Sequence, residues 1–233
     1  MFKTIKIIFS ALLIAITFYS CDTLNLGDLN PALTESQVAA GLKEALNVGT
    51  DTAVTKGSLT NGYFLNPFIK IPFPEEANVV MSVVNALPGG SVLVDAFVKK
   101  LNSAAEDAAV KATPIFKNAI MSITINDAFN ILNGADTAAT NYLRVKTFTD
   151  LYTAFKPDIQ ESLESVGAQQ AWEDVIDLYN SIPFTDPVDT DLANYTTNRG
   201  LDGLFYLVGE EEGKIRNDVS HQVTDILQEV FGK

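Results

Sequence analysis

Apolar residues recur every three or four positions along most of the chain, and this spacing places them on one face of a helix. Thr34 and Gln37 match a capping box, and the apolar stripe that follows them predicts a first helix over residues 35–55. The same reasoning predicts further helical stretches, which are 75–87, 91–112, 115–121, 124–132, 136–145, 147–166, 168–182, 192–197, 201–216 and 220–231. Several are short and separated by proline or glycine, so the sequence predicts an all-α fold, a single irregular domain of about eight to ten helices.

Residues 57–74 interrupt this pattern. Their prolines exclude a continuous helix, so a long extended segment is expected there. The segment is nevertheless strongly apolar, and its aromatic residues include Tyr63, Phe64, Phe68 and Phe73. This apolar character favours a loop that folds over the helices with its aromatic side chains in the core. The alternative is a lid on a hydrophobic cavity, or a surface patch for a partner or a bilayer.

The beginning of the chain has the features of a bacterial signal peptide. Lys3 and Lys6 precede an apolar, uncharged run over residues 7–19, which Ser20 and Cys21 follow. Cys21 is the only cysteine, and its position resembles the lipobox of bacterial lipoproteins, in which the thiol is acylated. We therefore expect an anchor at Cys21 to a membrane of the cell envelope, with the outer membrane as the expected one. The expected divisions are a signal peptide at 1–20, a lipidated cysteine and tether at 21–32, and a helical domain at 33–233.

The acidic charge of the chain narrows the range of partners. The formal net charge is −13 at pH 7, and a surface of that sign repels the phosphates of nucleic acids. A nucleic-acid partner is therefore not expected, and flat adsorption to anionic lipid is disfavoured. Hydrophobic residues make up 47% of the chain, which is enough to form a folded core.

The helix predicted at 201–216 places a carboxylate among apolar residues. On a helical wheel, Glu212 falls on the stripe that Leu204, Phe205 and Val208 form. A buried carboxylate needs a partner, because unpaired burial costs several kcal/mol. One interpretation is a structural ion pair with a lysine or with one of the chain's arginines, which are Arg144, Arg199 and Arg216. The other interpretation is a metal ligand or a general acid.

Common motifs of catalysis and cofactor binding do not occur in the sequence. His221 is the only histidine, which excludes a metal site with two histidine ligands, and we interpret it as a surface residue. The sequence has no phosphate-binding glycine loop, no paired cysteines and no H-E-x-x-H helix. We therefore expect no cofactor and no metal, and the interpretation leans towards a protein that is not an enzyme.

Five runs of sequence, distributed in order over most of the chain, carry a family resemblance. They are LTESQVAAGLKEALNVGTDTAV (33–54), NPFIKIPFP (66–74), KATPIFKNAIMSITINDAFNILNG (111–134), YLRVKTFTDLYTAFKP (142–157) and GLDGLFYLVGEEEGKIR (200–216). In these runs the chain resembles a family of bacterial proteins catalogued as domain of unknown function 4197. The resemblance implies one continuous domain in the cell envelope, and it implies no catalytic residues.

Three functional hypotheses agree with these features. The first is a non-enzymatic envelope lipoprotein that binds a protein partner or maintains the envelope, for which an exposed apolar patch without a cavity is expected. The second is a carrier or sensor of a lipid or another hydrophobic small molecule, for which an enclosed apolar cavity beneath residues 57–74 is expected. The third is a carboxylate metal site or an enzyme centred on Glu212, which requires a second acidic residue close to it.

Overall fold

The computed structural model describes residues 33–86, 88–181, 183–184, 187 and 191–232. The predicted signal peptide, Cys21 and the tether lie outside the described residues. Leu33–Lys233 forms one compact unit, whose described part contains α-helices and short 3-10 turns but no strand. The helices are α1 (Glu35–Gly57), α2 (Asn78–Asn85), α3 (Gly90–Ala109), α4 (Ala112–Met121), α5 (Ile125–Leu132), α6 (Ala138–Ser165), α7 (Ala168–Asn180), α8 (Leu192–Asn217) and α9 (Asp225–Phe231). The all-α prediction is confirmed.

Helix α8 lies at the centre of the unit. It packs along α1 and α6 and also contacts α3, while α9 packs mainly against α1. The stripe predicted from the sequence is buried in this helix, and its apolar members include Leu201, Leu204, Phe205, Val208 and Ile215. Among the described helices, none combines the length and apolar character that a membrane crossing requires.

Two pairs of predicted helices are each one continuous helix. The stretches 136–145 and 147–166 form α6, which includes Pro157, although an interior proline costs roughly 3 kcal/mol. The apolar stripe continues through the proline, because Phe155 and Ile159 on either side of it are completely buried. Burial of such a side chain stabilises by about 1.5–3 kcal/mol, so packing outweighs the local preference.

The stretches 192–197 and 201–216 form the single helix α8, and Gly200 lies between the two predicted stretches. Glycine weakens a helix by about 1 kcal/mol relative to alanine. Here it lets α3 and α8 approach closely, since a Cβ atom at Gly200 would lie 3.2 Å from the Cβ of Ala105. The helix therefore continues where propensity alone predicts a break.

An extended segment was expected between α1 and residue 75, but turns occupy most of it. The segment ends at the 3-10 turn Glu75–Ala77. Glu106 of α3, which is buried, holds these turns by accepting hydrogen bonds from the backbone N–H groups of Asn61 (3.0 Å), Tyr63 (3.1 Å) and Phe64 (3.2 Å). Asn61 has a positive φ of 62°, which reverses the chain at this point. The carboxylate thus replaces the partners that an extended strand would have needed.

Asn102, one helical turn before Glu106, fixes the second half of the segment. Its side-chain oxygen accepts from the N–H of Ile71, and its side-chain nitrogen donates to the carbonyl of the same residue, both at 2.8 Å. Two buried polar side chains on one face of α3 therefore bind most of the segment to the core. Neither was predicted from the sequence, because a polar residue on a helix does not indicate which distant backbone it will contact.

Tyr63 fastens the segment to α8 as well. Its side chain is completely buried, and its hydroxyl donates to the carbonyl of Gly200 at 2.7 Å. Burial, with a smaller effect from the Glu106 carboxylate, raises the pKa of Tyr63 well above its usual value, so the hydroxyl remains a donor. Gly203 makes room for the ring, since a Cβ atom there would lie 2.7 Å from the Cε1 atom of Tyr63.

Replacing Glu106 by alanine tests this attachment. We expect the free energy of unfolding in urea to fall by roughly 3 kcal/mol, because each buried N–H group left without an acceptor costs about 1–3 kcal/mol. Amide hydrogen exchange at Tyr63 and Phe64 should also become faster. Asp107→Ala, at the exposed neighbouring position, is the control. Equal losses of stability in the two variants would contradict the assigned role of Glu106.

Candidate functional site

Glu212 of α8 is buried and fully engaged in hydrogen bonds. Its carboxylate accepts from the backbone N–H groups of Ala139 (3.0 Å) and Thr140 (2.8 Å) and from the Thr140 hydroxyl (2.7 Å). These two N–H groups belong to the first turn of α6, where they have no partner within the helix. Glu212 therefore caps α6 from another helix, where a negative charge also interacts favourably with the helix dipole.

Arg216 completes this arrangement one turn further along α8. Its guanidinium lies 2.9 Å from the Glu212 carboxylate, and it also donates to the carbonyls of Ile131 (2.9 Å) and Leu132 (3.3 Å). Those carbonyls are at the end of α5, whose last turn lacks internal donors. The ion pair on α8 thus satisfies the end of one helix and the beginning of the next.

The arginine beside Glu212 is evidence against a metal site there. Among the described residues, no group of three or more His, Cys, Asp or Glu side chains is arranged to hold a metal ion. The carboxylate already has a cation and backbone donors as partners, which are the partners of a structural ion pair. The other two candidate arginines lie elsewhere, because Arg144 pairs with Asp202 and Arg199 lies over the ring of Tyr195.

Glu211, the neighbouring residue, is also buried and forms a second ionic contact. Its carboxylate accepts from the ammonium groups of Lys56 (2.6 Å) and Lys214 (2.8 Å). Burial alone would raise the pKa of this carboxyl group, but the hydrogen bonds from Lys214 and Lys56 outweigh it and the pKa is lowered. The group therefore remains ionised near neutral pH and ties α1 to α8, which is a structural role.

His221 lies in a local polar turn. Its Nδ1 atom is 3.0 Å from the carboxylate of Asp218, and the Ser220 hydroxyl donates to the same Asp218 side chain at 2.7 Å. These residues lie in the 3-10 turn Val219–His221, which the Asp218 side chain caps. The Ser220 hydroxyl is also 3.2 Å from the Nδ1 atom of His221, but Asp218 engages both side chains within one exposed turn, and this arrangement caps the turn.

The four aromatic residues singled out in the 57–74 segment have different environments. Tyr63 is in the core, and Phe64 is half-buried with the Lys70 ammonium 4.4 Å from its ring centre. Phe68 is 72% exposed, whereas Phe73 packs against the core. No single lid is formed, because the segment buries some of its aromatic side chains and exposes another.

Phe73 belongs to a cluster of three rings at one end of the segment. Its ring centre is 5.4 Å from that of Phe97 and 5.7 Å from that of Trp172, while the centres of Phe97 and Trp172 are 6.0 Å apart. The cluster forms one wall of an open apolar cleft of about 210 Å³. We name it the α2–α3 cleft, and its lining residues are Phe73, Val80, Val84, Leu93, Val94, Phe97 and Trp172.

The rim of the α2–α3 cleft is also apolar. The helices α2 and α3 pack against each other, and the sequence between Glu76 and Asp95 has no charged residue. Leu93, at the rim, is 65% exposed, and Val79 and Val92 are exposed nearby in the sequence. An uncharged surface of this length is unusual in a chain of net charge −13. Exposed apolar surface around a cleft is typical of binding sites.

The family assignment agrees with the resemblance. A family model described as "Protein of unknown function (DUF4197)" matches residues 32–232. The chain belongs to this family. No curated protein and no solved structure gave a match to the chain.

In this DUF4197 protein, one residue of the α2–α3 cleft is among those predicted from the sequence, and the others are not. Phe73 was named, but the cleft also needs α2 and the first turns of α3. The uncharged run between Glu76 and Asp95 was the available signal, because so long an apolar stretch in an acidic chain is unusual. The apolar spacing of this run predicts two helices separated by Pro88, Gly89 and Gly90, but it does not distinguish a buried helix face from an exposed one.

Glu212→Gln tests the structural role of the ion pair in the DUF4197 protein. The substitution leaves the partly buried charge of Arg216 without a counter-charge, which costs about 3 kcal/mol or more. We expect a melting temperature lower by roughly 6–12 °C, measured by circular dichroism. The matched control is Glu161→Gln at an exposed position of α6, which should have little effect. An unchanged melting temperature for Glu212→Gln would disprove the role.

Proposed function

We propose that this protein is a non-enzymatic, lipid-anchored protein of the bacterial envelope that binds an apolar helix of a protein partner in the α2–α3 cleft. The observation that carries the proposal is the cleft itself, an open apolar depression with an exposed uncharged rim. The fully occupied carboxylates of Glu106, Glu211 and Glu212 support a role without catalysis, since each has a structural partner.

The size of the cleft supports a protein partner over a small molecule. Its volume of about 210 Å³ is below the roughly 300–1,000 Å³ of sites that enclose a whole ligand. A cleft of this size accepts a few apolar side chains, as a hydrophobic groove does for the anchor residues of an amphipathic helix. The exposed Val92 and Leu93 enlarge the apolar contact beyond the cleft, which suits the core of a protein interface.

The carrier hypothesis receives less support from the same region. It requires an enclosed apolar cavity beneath residues 57–74, whereas Tyr63, Ile69 and Ile71 fill the space there with buried side chains. A lipid held in the open cleft would leave most of its acyl chain in water. The hydrophobic-ligand alternative is therefore kept as an outcome of the experiment below.

Site-specific photo-crosslinking tests the proposed partner. A photoreactive amino acid is placed at Val92 in the full chain, expressed in the bacterium that produces it, and irradiated in intact cells. We expect one discrete protein-sized adduct, and mass spectrometry of the adduct should identify an amphipathic helix. Adding Leu93→Asp to the same chain should reduce the adduct at least about tenfold, because an unpaired charge in an apolar contact costs more than 1.4 kcal/mol.

The matched control is Val145→Asp, which places the same charge on another exposed apolar residue. Val145 is 83% exposed and lies on α6 outside the cleft, so the adduct should be unaffected. Adducts of lipid size would contradict the protein partner and support the hydrophobic-ligand alternative. An adduct that survives Leu93→Asp would show that the cleft is not the binding site.

The envelope anchor is tested separately at Cys21. The wild-type chain, grown with an alkyne analogue of palmitate, should incorporate the label, because Cys21 supplies the thiol that is acylated. Cys21→Ser should remove the label and shift the protein out of the membrane fraction, since the chain has no second cysteine. Labelling of the serine variant would contradict the proposed anchor while leaving the α2–α3 cleft proposal intact.

A further inference from the structure

A second surface feature lies on the other part of the 57–74 segment. The rings of Phe68 and Tyr206 are stacked with centres 5.6 Å apart and an angle of 11° between their planes. Both residues are exposed, Phe68 to 72%. We call this pair the Phe68–Tyr206 platform. It borders a groove of about 270 Å³, whose lining includes Lys70, Pro72, Arg199 and Asp202. The groove shares no lining residue with the α2–α3 cleft.

The platform is preformed by the packing of the segment. The N–H of Phe68 donates to the Asn66 side chain at 3.0 Å, and the neighbouring Ile69 is buried. The segment is fixed on both sides of Phe68, by Tyr63 and by Ile71, through their contacts with α8 and α3. A ring held outward in this way keeps its exposed face without ordering on binding, which favours recognition.

Two cations at the groove keep their charge available. Among the described residues, no carboxylate lies within 4.0 Å of Lys70 or Arg199 to form a salt bridge. Each instead lies over a ring, Lys70 over Phe64 and Arg199 over Tyr195 at 5.7 Å, which positions the cation without neutralising it.

The carboxylate that lines the groove is already engaged, because Asp202 pairs with Arg144. The groove therefore presents positive charge in a chain whose net charge is −13.

An exposed aromatic ring beside cations without a carboxylate partner matches an acidic sugar, and Tyr206 stacks on the other face of that ring. The C–H face of a sugar ring stacks on an aromatic ring, and a carboxylate on that sugar accepts hydrogen bonds from lysine and arginine. A nucleic acid does not fit, because a chain of net charge −13 repels its many phosphates, whereas two cations can bind the single carboxylate of an acidic sugar. We propose that the Phe68–Tyr206 platform binds an oligosaccharide that carries a carboxylate, with the sugar on the face of the Phe68 ring that Tyr206 does not cover and the carboxylate at Arg199 and Lys70.

Calorimetric titration of the detergent-solubilised full chain tests this inference with a matched pair of sugars. The probes are the disaccharide of N-acetylglucosamine and N-acetylmuramic acid, which carries a carboxylate, and chitobiose, which lacks it. We expect the acidic disaccharide to bind about tenfold more tightly, the effect of roughly one charge-assisted hydrogen bond. Saturation-transfer NMR should show contact between the sugar C–H groups and aromatic protons.

Variants separate the two parts of the platform. Phe68→Ala should weaken both sugars roughly fivefold to tenfold, whereas Phe68→Tyr, which keeps the ring, should bind normally. Arg199→Gln should weaken only the acidic disaccharide. Phe68 is mostly exposed, so its variants should retain the melting temperature of the parent chain, and Leu93→Asp in the α2–α3 cleft should not change sugar binding.

Three results would overturn the proposal. The first is that the acidic disaccharide does not bind at concentrations up to ~10 mM, and the second is that the two sugars bind with equal affinity. The third is that a tetraglutamate peptide binds as tightly as the acidic disaccharide and that Phe68→Ala does not weaken its binding. The last result would identify a site for anions in general instead of a saccharide site. Because no experiment here uses the protein partner, failure of this inference and failure of the α2–α3 cleft proposal are distinguishable.

Discussion

The ion pair between Glu212 and Arg216 is the contact on which the arrangement of α5, α6 and α8 depends. Its carboxylate accepts from the free N–H groups at the start of α6, and its guanidinium donates to two carbonyls at the end of α5. The turn between α5 and α6 is thereby fixed against the central helix. A buried pair with this many backbone partners avoids the desolvation penalty that an isolated pair would incur.

The same physical solution recurs on α3. Glu106 and Asn102 are buried polar side chains, and each binds backbone groups that no helix or strand satisfies. Together with Glu212, they show how irregular segments are accommodated in the described part of the fold, which contains no strand, since every buried N–H and carbonyl needs a partner. Side chains on α3 and α8 supply those partners, and those of α3 bind the segment between α1 and α2 to the core.

This attachment explains why two different surfaces arise from one segment. Tyr63, Ile69 and Ile71 point inward because the turns between them are fixed, so Phe68 is left outside and Phe73 is brought to α7. The outer ring meets Tyr206 of α8 beside Lys70 and Arg199, whereas the inner ring joins Phe97 and Trp172 next to the uncharged run between Glu76 and Asp95. The first surface is polar and positive and the second is apolar, so they suit ligands of different chemistry.

The sequence by itself determined the all-α class and much of the local structure, because helix periodicity and capping act between neighbouring residues. The capping box of Thr34 and Gln37 is present as predicted, and the helix predicted at 124–132 begins after the N-cap residue Thr124. So is the buried stripe of α8, and with it the need of Glu212 for a cation.

Only the tertiary structure decided that Arg216 is the cation that pairs with Glu212. It also decided that α6 continues through Pro157, and that Glu106 and Asn102 bind a segment distant in the sequence. It also decided which aromatic side chains are exposed. These outcomes depend on contacts between residues far apart in the chain, whose free energies exceed the local preferences that a sequence pattern records.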